Sequence, residues 1–188
     1  NTPSNILTSS SFKKYIVSHL QTEKNKHLKI SVLNEKELKK LGMNLILAVN
    51  QGSQYPAYCI KMEYKNLPKK NNKASIVQPI VFIGKGVMFD TGGYSIKMGD
   101  FSDMKNDMNG SAVVYGLMKL ICHQKVKGHF VGLCPLVENM IDAKATRPGD
   151  VITCYNKKTV EIVDTDAEGR LIMADCLAYS EKYKPSAV

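Results

Sequence analysis

Residues 79–93 read Pro79-Ile80-Val81-Phe82-Ile83-Gly84-Lys85-Gly86-Val87-Met88-Phe89-Asp90-Thr91-Gly92-Gly93. A continuous apolar, β-branched run stops at a lysine held between two glycines, the pattern of a strand buried on both faces that enters a loop. Downstream, residues 110–122 place Ala112, Val113, Gly116, Leu117, Leu120 and Ile121 on a helical stripe, and 129–134 form a second buried strand. Short strands are expected at 151–154 and 159–163. Residues 167–183 are helical, with Leu171, Ala174, Leu177 and Ala178 on one side and Pro185 beyond the end. Upstream, 9–21 predict a helix with Phe12, Ile16, Val17 and Leu20 as its apolar positions, 29–33 a strand, and 35–41 a short charged helix. Residues 43–50 and 58–64 are expected as an extended pair around a turn-rich connection, and 66–73 as an exposed basic loop. Helices alternating with buried strands predict an α/β fold, a sheet covered on both faces. In such sheets chemistry collects in loops at the strand ends.

Composition supports a globular chain. Of 188 residues, 44% are hydrophobic and 23% charged, which excludes disorder, collagen-like sequence and a disulfide scaffold. No apolar run approaches the roughly 18 residues of a membrane helix. The opening Asn1-Thr2-Pro3-Ser4-Asn5 lacks the basic start and apolar centre of a signal peptide, so secretion is not expected. The net charge of +9 comes from lysine: the only arginines are Arg147 and Arg170. Nucleic-acid surfaces mix arginine with stacking aromatics on one face, and the lysines here fall in scattered pairs. A solvated basic surface is therefore expected rather than a nucleic-acid partner. The five cysteines form no Cys-x-x-Cys pair and sit in apolar segments, which fits a reducing, cytoplasmic setting.

Three loops carry charges that folding does not require. The first holds Lys85 and Asp90. The second holds Lys97, Met104 and Asp107, and the third reads Asp164-Thr165-Asp166-Ala167-Glu168-Gly169-Arg170. In the third loop alone, the acids read equally as caps of the following helix or as ligands of a divalent cation. It also opens like a calcium-binding loop, but its twelfth position is Asp175 and a strand precedes it. Asp90-Thr91-Gly92 matches the turn of aspartic proteases, which need two copies of the turn or a symmetric dimer; the sequence holds no second copy, and its α/β pattern is wrong for an all-β protease. Together, Asp90, Asp107, Asp166 and Glu168 make a carboxylate set suited to Mn²⁺, Mg²⁺ or Zn²⁺ and large enough for a bridged pair of ions. Lys85 reads either as an ordinary strand-end lysine or, beside two cations, as a neutral amine ligand. Lys97 and Arg170 would then meet developing negative charge.

The sequence resembles the leucyl (cytosol) aminopeptidases, two-metal exopeptidases. The resemblance is carried by residues 81–93, Ser95-Ile96-Lys97, Asp107-Met108-Asn109-Gly110, Glu138-Asn139-Met140, Arg147-Pro148-Gly149-Asp150 and Thr165-Asp166-Ala167-Glu168-Gly169-Arg170-Leu171. It implies a mixed, mostly parallel sheet, and two divalent cations (Zn²⁺, Mn²⁺ or Mg²⁺) on Lys85, Asp90, Asp107, Asp166 and Glu168, with Asp90 and Glu168 bridging. It also implies carbonyl polarisation by Lys97, and a bicarbonate on Arg170 as general base for a water shared by the metals. Met104 would wall the pocket for the first side chain. Substrates would be peptides with a free, preferably apolar N-terminal residue, and the assembly a homohexamer. A non-catalytic structural or regulatory relative that keeps the fold, with a lysine-rich surface open to nucleic acid, is the alternative.

Departures from the family pattern are Asp164 where Asn is common, Met98 where Pro is common, Asn109 where Gly is frequent, and one residue fewer between Lys97 and Asp107. The resemblance also implies a partial catalytic domain, with a leading portion over 1–75 and the metal-site core over 76–188. The N-terminal domain of the family and the strand that follows residue 188 would lie outside this chain, leaving these residues alone unstable or weakly active.

Overall fold

The computed structural model describes residues 2–22, 25–67 and 77–188. The expected basic loop at 66–73 lies mostly outside these residues.

The first helix, α1 (Ser9–Thr22), buries Phe12, Ile16 and Leu20, one per turn. Strand β1 (Leu28–Asn34) leads into α2 (Glu35–Leu41) through a capping box: Glu37 N donates to Asn34 Oδ1 at 3.1 Å, and Asn34 N donates to Glu37 Oε2 at 2.8 Å. Gly42, at φ +80°, ends α2 in the left-handed conformation that glycine adopts without strain. Residues 43–50 are not extended as expected: they form helix α3 (Asn44–Val49). A short, uniformly apolar run has no period that separates helix from strand, and a distant partner decides the matter. Leu45 N and Ile46 N donate to the carboxylate of the fully buried Asp175, at 2.8 and 3.2 Å.

Strand β2 (Tyr58–Asn66) pairs antiparallel with β1 and with the long β5 (Gly128–Asn139). On the other side of β5 lie β3 (Ile80–Ile83) and β4 (Val87–Asp90), both parallel to it. Residues 87–90, read from sequence as loop, are thus a strand, and Asp90 stands at its end opposite Asn139. The sheet is mixed, and its parallel pairings are those nearest the site. Helix α4 (Asn109–His123) precedes β5. A separate hairpin of β6 (Val151–Thr153) and β7 (Thr159–Glu161) follows it, and then α5 (Glu168–Ser180). Ala187 closes back beside Ile80 as a parallel bridge.

Strand alternation divides the core in two. Ile60, Met62, Tyr64, Cys134 and Leu136 face α1 and α4, where Val114, Met118 and Ile121 pack. Cys59, Val81, Val87, Val131, Leu133 and Val137 face α2, α3 and α5, where Leu38, Ile46, Ile172 and Tyr179 pack. All five cysteines are buried and none is in a disulfide. Among the described residues, no helix is long and apolar enough to cross a membrane.

Candidate functional site

Between β3 and β4 the parallel ladder breaks, and the break places Lys85. Gly84 N donates to Leu133 O at 3.0 Å. In a continuous ladder Gly84 O would then accept from residue 135, but that residue is Pro135, which has no N–H. Gly84 O takes the Ser111 hydroxyl instead, at 2.7 Å. Pairing resumes where Val137 N donates to Gly86 O at 3.0 Å. The loop between is pressed against the start of α4: Ser111 N donates to Lys85 O at 2.8 Å, and a Cβ on Gly84 would fall 2.2 Å from Gly110 O. Gly169, in the first turn of α5, leaves the groove through which Lys85 passes. A Cβ there would lie 2.8–2.9 Å from Lys85 Cδ, Cε and Nζ.

The other groups arrive from the same end of the sheet. Asp90 ends β4. Asp107 follows a 3₁₀ turn at Ser102–Asn106, which also carries the half-buried Met104, and Asp107 N donates to Met104 O at 3.3 Å. Asp166 lies in a 3₁₀ turn at Thr165–Ala167, and Glu168 opens α5. Lys85 Nζ is 2.8 Å from Asp107 Oδ2 and 2.7 Å from Glu168 Oε1. Lys97 Nζ is 2.9 Å from Asp90 Oδ2 and also contacts Asp166 Oδ1. Four carboxylates thus surround two ammonium groups, with Asp90 and Glu168 only 2% and 1% exposed. The separate sequence loops form one cluster.

Electrostatics follow from that crowding. Burial raises the pKa of Glu168, with Asp90 adding to the rise and Lys85 opposing it. Burial likewise raises that of Asp107, again against Lys85. For Lys97, burial works against the ammonium, but the hydrogen bonds to Asp166 and Asp90 outweigh it and hold the pKa above the ordinary lysine value. Lys85 is also raised, because the nearby carboxylates of Asp107 and Glu168 outweigh the burial that opposes its charge. Glu168 Oε2 is buried with no hydrogen-bond partner among the described residues. Glu168 Oε1 and Asp107 Oδ2 have Lys85 at ion-pair distance but outside hydrogen-bond geometry. Orphaned buried carboxylate oxygens are costly, and a divalent cation is the group that would satisfy them. Asp90, Asp166 and Glu168 each offer an oxygen, and the three oxygens lie within 4.8 Å of one another, a spacing able to hold an ion. The donor set fits a hard or borderline cation.

The two sequence readings of the third loop turn out to belong to different residues. Asp164 is a cap: Asp166 N donates to its Oδ1 at 2.8 Å, which an Asn side chain would accept equally well. Asp166 and Glu168 face the cluster. Asp175, the twelfth position of the would-be calcium loop, is turned away into α3 and also accepts from Tyr155 N at 2.9 Å. Arg170, in the first turn of α5, is exposed, and its side chain has no ion pair or hydrogen bond among the described residues.

The sequence placed Asn139 and Thr165 within motifs of the family resemblance but gave neither a part in the site. Thr165 Oγ1 donates to Gly92 O at 2.6 Å and accepts from Ser95 N at 2.8 Å, tying the third loop to the first. The sequence signals for Asn139 were its place at the end of a long apolar run and its membership of Glu138-Asn139-Met140, neither of which points to a partner.

The family model for the catalytic domain of the cytosol aminopeptidase family matches residues 1–188. The chain belongs to the cytosol aminopeptidase family. It is 46% identical over 189 residues to a probable cytosol aminopeptidase of Brucella melitensis, covering 98% of this chain and 36% of that protein. It is 48% identical over 158 residues to one of Agrobacterium fabrum, covering 83% and 31%. The crystal structure of cytosol aminopeptidase from Coxiella burnetii superimposes with a TM-score of 0.87 at 32% identity, over 98% of this chain and 38% of that one. The chain therefore spans about a third of the length of the aminopeptidases it matches. The α/β sheet with helices on both faces is that of the aminopeptidase catalytic domain.

Proposed function

We propose that the protein containing this chain is a metal-dependent aminopeptidase that releases N-terminal, preferably apolar, residues from peptides. The observation that carries this reading is the carboxylate cluster with its orphaned Glu168 oxygen. Lys85, Asp90, Asp107, Asp166 and Glu168 would hold two divalent cations, Zn²⁺, Mn²⁺ or Mg²⁺. When bound, such ions supply Lewis acidity toward a peptide carbonyl, a lowered pKa for water, and an anchor for a free α-amine.

The chain's own groups have separate tasks. Lys85 Nζ must give up its proton to ligate, and neutralisation of Asp107 and Glu168 removes the attraction that keeps it charged. The ammonium of Lys97, released from Asp90 and Asp166, donates to the oxygen that gains charge as the carbonyl becomes tetrahedral, an interaction stronger in the transition state than in the flat amide. Arg170 presents a planar fork to solvent that matches bicarbonate, the general base proposed for this site. Met104 is proposed as a wall for the first side chain. A cytoplasmic location is supported by the free cysteines and by relatives named for the cytosol. A homohexamer is proposed by family resemblance.

The test is hydrolysis of a leucine chromogenic amide by the full-length protein. Chelator should abolish turnover, and Mn²⁺ or Zn²⁺ should restore it. Asp166→Ala should lower kcat/KM by more than about 100-fold, beyond the cost of altering an outer-shell partner. Chelator-insensitive turnover, or full activity in that variant, would defeat the proposal.

A further inference from the structure

We propose that Asn139 is a positioning residue that selects which oxygen of Asp90 faces the cations, and thereby sets their affinity. The inference rests on the metal-centre reading above.

Asn139 is the last residue of β5, and it is 5% exposed. Its Nδ2 donates to Asp90 Oδ1 at 2.8 Å and to Thr165 O at 3.0 Å. Gly92 N also donates to Asp90 Oδ1, at 2.9 Å. Two N–H donors fill both lone-pair directions of that oxygen. Oδ2 is left to face the cluster, where it meets Lys97 at 2.9 Å. The terminal torsion of an aspartate is soft and nearly two-fold, so without such donors either oxygen could turn inward.

The same amide fixes spacing. Thr165 precedes Asp166, and the Asn139 carbonyl accepts from Thr91 N at 3.0 Å and Thr91 Oγ1 at 2.8 Å. One side chain and its own carbonyl therefore index the loop after β4 against the loop before α5. An amide suits the place because both partners of Nδ2 are acceptors. An isosteric carboxylate would set oxygen against oxygen.

The experiment is Mn²⁺ titration of the chelator-stripped full-length protein against a competing chromophoric chelator, with far-UV circular dichroism as the check on folding. Asn139→Asp and Asn139→Ala should each weaken one Mn²⁺ by roughly 10–100-fold. Asn50→Ala is the structural control. Asn50 is an equally buried amide beside the end of β5 that accepts from Glu138 N and donates to Tyr55 O, and it touches no cluster carboxylate. Its removal should leave both affinities in place. A wild type that binds no Mn²⁺ pair overturns the metal-centre reading itself. Normal wild-type binding with unchanged affinity in the folded Asn139 variants overturns the role of Asn139 alone. So does an equal loss in Asn50→Ala, or unfolding of both Asn139 variants in the presence of Mn²⁺, since either outcome makes the residue merely structural.

Discussion

Glu138, one residue before Asn139, points to the opposite side of the strand and is 5% exposed; its Oε2 accepts from Ser53 Oγ. Burial raises its pKa, with the Ser53 hydroxyl opposing only in part. A carboxylate with a folded pKa above its unfolded one binds more protons in the folded state between those two values. Stability is therefore full below the unfolded pKa and falls as pH rises through the folded one. Glu138→Gln removes that titration. Its stability relative to wild type should improve between about pH 4 and pH 8, by about 1.4 kcal/mol for each unit of raised pKa. Urea unfolding of both proteins at the two pH values measures this, and a gap that is constant or shifts toward wild type would contradict it. Charge made the cluster residues legible in sequence: Lys85, Asp90, Lys97, Asp107, Asp166 and Glu168 are ionisable groups in loops that follow apolar segments. Asn139 carries no charge and trails an apolar strand, and only the positions of its two acceptors in space reveal its role.

At the level of elements, the amphipathic pattern gave both bounds and face at α1, but at α4 it gave the bounds and missed the face: Val113 and Leu120 of the expected stripe are exposed, while Val114, Met118 and Ile121 are buried. It failed at α3, where a buried carboxylate 130 residues away selects the helix, and at β4, where glycines and an acid at the segment ends masked a strand. The break between β3 and β4 was written in Pro135, but reading it requires knowing that residue 135 lies opposite Gly84. The first turn of α5 offers a test in which stability and function should move in opposite directions. Ala is favoured over Gly inside a helix by about 1 kcal/mol, while a methyl on Gly169 would occupy the space of Lys85 Cδ–Nζ, the flexible end of a side chain that moves at little cost. Gly169→Ala should therefore melt no lower than wild type in chelator, yet lose more than about 10-fold in kcat/KM with Mn²⁺ present. A variant with wild-type kinetics would show that Lys85 needs no such groove.

Across the whole molecule, the cluster stands where two cores meet. Lys85 leans on the start of α4, whose far turns bury Met118 on one face of the sheet. Glu168 opens α5, which buries Ile172 on the other face. Both side chains are fully buried, so Met118→Ala and Ile172→Ala should each cost about 2–5 kcal/mol. The sheet lies between them and they belong to separate core clusters, so the costs should add within about 0.5 kcal/mol in the double variant. Urea unfolding of the chelated full-length protein tests this. A coupling well above that limit would mean that the two cores are joined mechanically, and the route between them runs through the cluster, where Lys85 O accepts from Ser111 N of α4 and Glu168 opens α5. Addition of Mn²⁺ would then have to change the coupling, because an ion held by both Asp107, two residues before α4, and Glu168 would tie the start of α4 to α5.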